Sequence, residues 1–128
     1  MNDISDLEKN IGYKFKDNKY LKIALTHKSY LDEYPDHQSN QRFEFFGDAI
    51  LDFDLTEYLF KKYPDLDEGS LTKIRSSAVN QFYLVKLGRK INIGQYLYLS
   101  KAEESTGGRE KDSILEDSLE ALIAALYF

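Results

Sequence analysis

Residues 40–63, NQRFEFFGDAILDFDLTEYLFKKY, decide how this chain must fold. At about 100° per residue, Phe43, Phe45, Phe46, Ala49, Ile50 and Phe53 fill one broad arc, and Leu51, Leu55, Tyr58 and Leu59 cover much of the remainder. A helix apolar on almost every side belongs in the middle of a domain. Within it, Glu44 and Asp48 stand one turn apart on a single face. Burying carboxylates without partners costs several kcal/mol, so cations, hydrogen bonds or an open cleft must compensate them.

The remaining chain reads as further helices, and the expected fold class is all-α. Ser5-Asp6-Leu7-Glu8 has the form of a capping box, with Gly12 suited to end a brief first helix. Asp17 or Asn18 suits the cap of a second, carrying Leu21, Ala24, Leu25 and Leu31 at helical spacing. A loop containing Pro35 leads into the central helix, which Pro64 stops near Tyr63. Asp67 is then expected to cap a helical stretch from Ser70 to about Leu87, broken near Ser77 and ended by Gly88. Gln95–Leu99 alternates like a strand but has no evident partner, so an irregular turn is expected there. Ser100–Glu103 opens a short helix that Gly107-Gly108 ends, and Ser113–Glu116 should cap a strong last helix with Ile114, Leu115, Leu119, Leu122, Ile123 and Leu126 on its apolar face.

At 128 residues the chain is expected to form one domain, residues 1–128, with no repeat or linker. The absence of cysteine excludes disulfides and thiolate metal sites, and two histidines are too few for a multi-histidine site, so any metal must sit on oxygen. No apolar run approaches the roughly 20 residues of a membrane span, and no signal-peptide layout is present; a cytoplasmic protein without membrane contact is the expectation. The net charge of −5 argues only weakly against a nucleic-acid partner, because a cation-recruiting site supplies negative charge itself and the 17 Lys and Arg can gather on one face.

Asp117 and Glu120, three residues apart on the last helix, repeat the puzzle of Glu44 and Asp48. Should the two helices cross with their acids together, four carboxylates could not all stay charged without a counter-charge. Mg²⁺ prefers carboxylate oxygen, and two such ions about 4 Å apart serve phosphodiester cleavage. The same spacings also occur on solvated helix faces, and spacing alone leaves both readings open.

The residues NQRFEFFGDAIL resemble the signature segment of the ribonuclease III family. Ala24–Tyr30 (ALTHKSY), Glu68-Gly69 with Leu71 and Arg75, and residues 107–127 (GGREKDSILEDSLEALIAALY) match further family elements in the family's order and spacing. The resemblance implies an α-helical, homodimeric endonuclease domain that cuts double-stranded RNA with Mg²⁺, Mn²⁺ substituting, and uses no organic cofactor. It implies 5′-phosphate and 3′-hydroxyl ends, staggered cuts and a role in RNA processing such as rRNA maturation. Glu44, Asp48, Asp117 and Glu120 correspond to the metal-site acids, with Asp48 and Glu120 catalytic, and Phe45 to the side chain that plugs into the partner subunit; from spacing alone Phe45 would be a core residue. Glu68 corresponds to an acid that helps at the RNA or the cut, although a helix dipole equally favours an acid there.

Gln41 stands where many members place an acid, so its amide must supply whatever that acid contributes. Lys28, Arg42, Lys73, Arg75, Lys101, Arg109 and Lys111 are candidates for phosphate contacts, with Arg109 in a Gly-rich loop able to approach an RNA backbone. Asp52 extends the row of acids by one turn and reads as a solvated surface acid or an outer ligand; His27 reads as a structural histidine. Bacterial members continue with a further helix, a linker and an RNA-binding domain, so an excised catalytic domain or a short form is expected, and an excised one should bind RNA poorly. The alternative, a noncatalytic double-stranded-RNA-binding or ribosome-associated scaffold of the same fold, should lack one or more of the four acids; this chain has all four.

Overall fold

The computed structural model describes residues 3–128. Among the described residues seven helices follow one another: α1 (Ile4–Ile11), α2 (Lys19–Ala24), α3 (Gln41–Lys62), α4 (Glu68–Ala78), α5 (Gln81–Lys90), α6 (Lys101–Ser105) and α7 (Asp112–Tyr127). Short 3-10 turns lie at Lys28–Asp32, Ile93–Tyr96 and Gly108–Glu110. The all-α expectation holds, and among the described residues no helix is long and apolar enough to cross a membrane.

The central helix is α7, not α3. Nine α7 residues are buried, from Ile114 to Ala125, and α2, α3 and α5 all pack against it. Its run of Ala121, Ala124 and Ala125 lets neighbours come close without leaving the core polar. Only Phe43, Gly47 and Leu59 of α3 are buried, whereas Phe45 (78%), Phe53 (64%) and Phe60 (70%) are largely exposed. The all-round apolar pattern of α3 therefore serves two surfaces, of which the domain itself covers one.

Local chemistry departs from the sequence expectation at several ends. Asp3 caps α1, accepting from the Ser5 N–H at 3.0 Å, while Glu8 leaves the expected capping box to accept from the Phe15 N–H. Helix α2 stops at Ala24, and Leu31 belongs to a separate 3-10 turn because His27 starts a new cap: its Nδ1 accepts from the Ser29 N–H at 3.1 Å. Asn80 caps α5 through the Tyr83 N–H, so the break falls at Val79-Asn80 and not at Ser77. Gly88 lies inside α5, packed beside Ile93 and Leu115; the chain turns instead at Asn92, with φ 63°. Helix α7 starts at Asp112 without a side-chain cap, one residue before Ser113. The strand-like 95–99 stretch does find a partner, a single parallel bridge in which His27 N–H donates to Tyr98 O at 3.1 Å and Tyr98 N–H to Leu25 O at 2.9 Å.

Two contacts place α3. Buried Asn40 donates its side-chain amide to Ala24 O at 3.0 Å and its backbone N–H to Thr26 O at 2.8 Å, tying the helix start to the end of α2. Gly47 lies where α3 crosses α7, and a Cβ there would run into the Glu120 carbonyl and stand 3.3 Å from the Ala124 nitrogen. Glycine is a poor helix residue, so its presence mid-helix reflects this backbone approach.

Gly47→Ala should lower stability by about 3 kcal/mol, roughly 10 °C in Tm, because both neighbours are backbone and neither can yield. Gly69→Ala in α4, where only the Asp67 side chain comes within 4 Å, should leave Tm unchanged or slightly raised. Thermal unfolding followed by circular dichroism compares the two.

Candidate metal centre

The α3–α7 crossing brings the two carboxylate pairs together. Gly47 is three residues after Glu44 and one before Asp48, and it sits against the backbone of Glu120, one turn after Asp117. Carboxylate oxygens of Glu44, Asp117 and Glu120 all lie within 4.8 Å of one another. Asp48 stands beside that trio rather than within it, near enough for its carboxylate to act on Glu120. Glu120 is buried, Glu44 is partly covered, and Asp48 and Asp117 are exposed, so the cluster has a floor in the protein and a mouth toward solvent.

Electrostatics record the crowding. Burial, then the hydrogen bond to Asp48 and the charges of Asp48, Glu44 and Glu116, push the Glu120 carboxyl up to about 9. Burial and the charges of Asp117, Asp48 and Glu116 raise Glu44. Asp117 is raised by burial and by Glu116, with Lys28 pulling the other way. The donor set is carboxylate oxygen without nitrogen or sulfur, crowded enough that Glu120 holds its proton at neutral pH unless a cation arrives. That chemistry fits a hard divalent ion such as Mg²⁺ or Mn²⁺.

Glu116 is the acid that spacing did not single out, although it lies four residues before Glu120 and therefore on the same side of α7. It accepts from Gln81 Nε2 at 3.2 Å. Among the proposed phosphate contacts, Arg109 is turned inward: it donates to the Gly94 and Leu97 carbonyls at 3.0 and 2.8 Å and pairs with Glu104. Lys111 pairs with Glu103, and Arg75 with Asp52. Lys28, Arg42, Lys73 and Lys101 make no ion pair among the described residues, and Lys28 is near enough to influence Asp117.

The other site candidates lie outside the cluster. Gln41 sits at the start of α3 in an open cavity of about 610 Å³ with Gln38, Arg42, Phe45 and Phe128. Glu68 lines a second cavity, of about 370 Å³, between α3 and α4. Phe45 is no core residue, since it is the most exposed of the large apolar side chains. His27 is structural: besides capping, its Nδ1 lies 2.8 Å from Ser29 Oγ, which accepts from the Ser100 N–H.

A family model described as Ribonuclease-III-like matches residues 17–128. A relative from Sulfurovum sp., Ribonuclease 3, is 53% identical over 127 residues, covering 99% of this chain and 55% of its own. The Ribonuclease 3 of Campylobacter concisus is 45% identical over the same length. The chain thus spans about half the length of the curated relatives it matches. A solved structure of the nuclease domain of ribonuclease III from Campylobacter jejuni, described for structural flexibility in the region involved in dimer formation, superposes with a TM-score of 0.90 at 44% identity, covering 98% of this chain and 85% of that one.

The raised Glu120 carboxyl makes stability pH-dependent in the metal-free protein. An acid held above its ordinary 4.5 in the fold is protonated in both states at low pH, and its contribution is lost as pH rises through the folded value. Tm in EDTA should therefore fall between about pH 5 and pH 9, by roughly 3 °C or more. Glu120→Gln should flatten that dependence; a decline just as steep in the variant would remove Glu120 as its source.

Proposed function

Because the chain belongs to the ribonuclease III-like family, we propose that it is the catalytic domain of an endoribonuclease that hydrolyses double-stranded RNA with divalent metal ions. The observation that carries this reading is the convergence of Glu44, Asp117 and Glu120 at the α3–α7 crossing, with Asp48 beside Glu120. These four residues would hold the ions. Bound there, Mg²⁺ supplies the positive charge that activates water and offsets charge developing on a scissile phosphate.

The chain's own residues prepare that chemistry. Glu120 is buried and its backbone is pinned at the helix crossing, which restricts where its carboxyl can go before anything binds. Exposed Asp48 and Asp117 face the side from which an RNA phosphate must arrive, and unpaired Lys28 beside Asp117 offers that phosphate a cation. Water attacks phosphorus without a covalent enzyme intermediate, the bond to the 3′ oxygen breaks and that oxygen takes up a proton, which leaves 5′-phosphate and 3′-hydroxyl ends. Maturation of structured transcripts such as rRNA precursors is a role that suits this chemistry.

We assign the exposed face of α3 to a homodimer. An isologous pairing about a two-fold axis near Phe53 lays two copies of α3 antiparallel. Phe45 and Phe60 lie symmetrically about that point, some 22 Å apart along the helix. The partner's Phe45 then falls at the α3–α4 cavity, lined by Leu59, Phe60, Leu66 and Leu71. Glu68 lines the same cavity, so the pairing brings it near the residue following the partner's Glu44 and gives it a supporting role across the interface. Two metal centres on one dimer account for staggered cuts.

Cleavage of a long RNA duplex should require Mg²⁺ or Mn²⁺, stop in EDTA, and fall about 100-fold or more in kcat for Glu120→Gln. Equal rates in wild type and variant would exclude the role given to Glu120. Independently of turnover, Mn²⁺ binding near pH 7.5 should release about one proton per site, because a carboxyl titrating near 9 must ionise to bind. Calorimetry in buffers of different ionisation enthalpy measures this; no buffer dependence would contradict it.

A further inference from the structure

Helix α4 is loosely attached. None of its residues is buried, and Glu68, Leu71, Thr72 and Arg75 line an open cavity against Thr56, Leu59 and Phe60 of α3. Among the described residues, no α4 side chain but that of Arg75 bonds to another helix. Arg75 spans the gap: its Nη1 donates to Thr56 Oγ1 at 2.9 Å and its Nε stands 3.5 Å from Asp52 Oδ1. Thr56 is held in turn, donating its hydroxyl to Asp52 O at 2.6 Å. Asp52 is thus drawn away from the acid row it extends and used as an anchor.

This bridge forms one wall of the α3–α4 cavity, since Thr56 and Arg75 both line it. An exposed ion pair is ordinarily worth little. Here it sets the separation between two helices whose apolar gap of about 370 Å³ must stay open for an aromatic ring to enter. We infer that Arg75 is a positioning residue for assembly: clasped by Asp52 and Thr56, it holds α4 at the spacing that admits Phe45 of a second copy of this chain. The inference rests on the homodimer proposed above. An isologous dimer contains the bridge twice, so any loss counts twice in the dissociation constant.

Sedimentation equilibrium of wild type, Arg75→Gln, Thr56→Val, Phe45→Leu and the Arg75→Gln/Phe45→Leu double variant tests this. Arg75→Gln should raise the dimer dissociation constant about 10-fold or more and Thr56→Val should do so less strongly, while Tm of the dilute monomer moves little. Arg75→Lys, lacking the two-pronged head, should rescue only in part. In the Phe45→Leu background the Arg75→Gln penalty should shrink, because the shaped cavity then has less to receive. A wild-type dissociation constant in Arg75→Gln, or full additivity of the two penalties, would overturn the role of Arg75 while leaving the dimer in place. A wild-type chain that stays monomeric at every concentration would overturn the dimer, and the inference with it.

Discussion

The close backbone approach of α3 to α7 at Gly47 is the constraint from which the rest of the structure follows. Any side chain at position 47 would meet the Glu120 carbonyl, so the crossing exists only because one helix has no Cβ at the contact. Glu44 and Asp48 flank that glycine on α3, and Asp117 and Glu120 occupy the facing turns of α7. The crossing that closes the core therefore also assembles the site. Asn40, bonded to the end of α2, fixes how far α3 can slide along the contact.

Such an arrangement stores electrostatic tension. Four carboxylates, with Glu116 beside them, share a place where one is almost fully buried, and the cation Lys28 acts on Asp117. The fold answers by keeping Glu120 protonated well above the usual range for an acid. A divalent ion would relieve the same tension with charge, so the crowding that raises these acids also suits them to a metal. The surrounding helix is close-packed: Leu119, Ala121 and Leu122 are buried on either side of Glu120.

Helix α3 serves two masters, and its consecutive residues show it. Glu44 turns into the domain while Phe45 turns out of it, so the acid cluster and the proposed interface share one helix. Phe45, Phe53 and Phe60 fall within one arc of the helix, a patch more apolar than a soluble monomer usually leaves bare. The weak seating of α4 beside it matches a surface completed by a second copy, and the similar domain from Campylobacter jejuni is described as flexible in its dimer-forming region.

The sequence by itself determined the helix class, the stop at Pro64, the caps at Asp67 and Ser100 and the left-handed turns at Gly12 and Gly107, because each depends on chemistry within a few residues. It also marked the four acids, through charge placed where apolar residues were expected. It misplaced the centre of the domain, since an all-round apolar helix looks the same whether its second face meets its own chain or another. Only the tertiary structure decided that Asp52 belongs to Arg75, that Glu116 joins the acids and that Arg109 spends its donors inside. The physical reason is range: caps and turns are settled within a few residues, whereas the partner of a charge depends on which helices come within a few ångströms, and here a glycine at the crossing settles that.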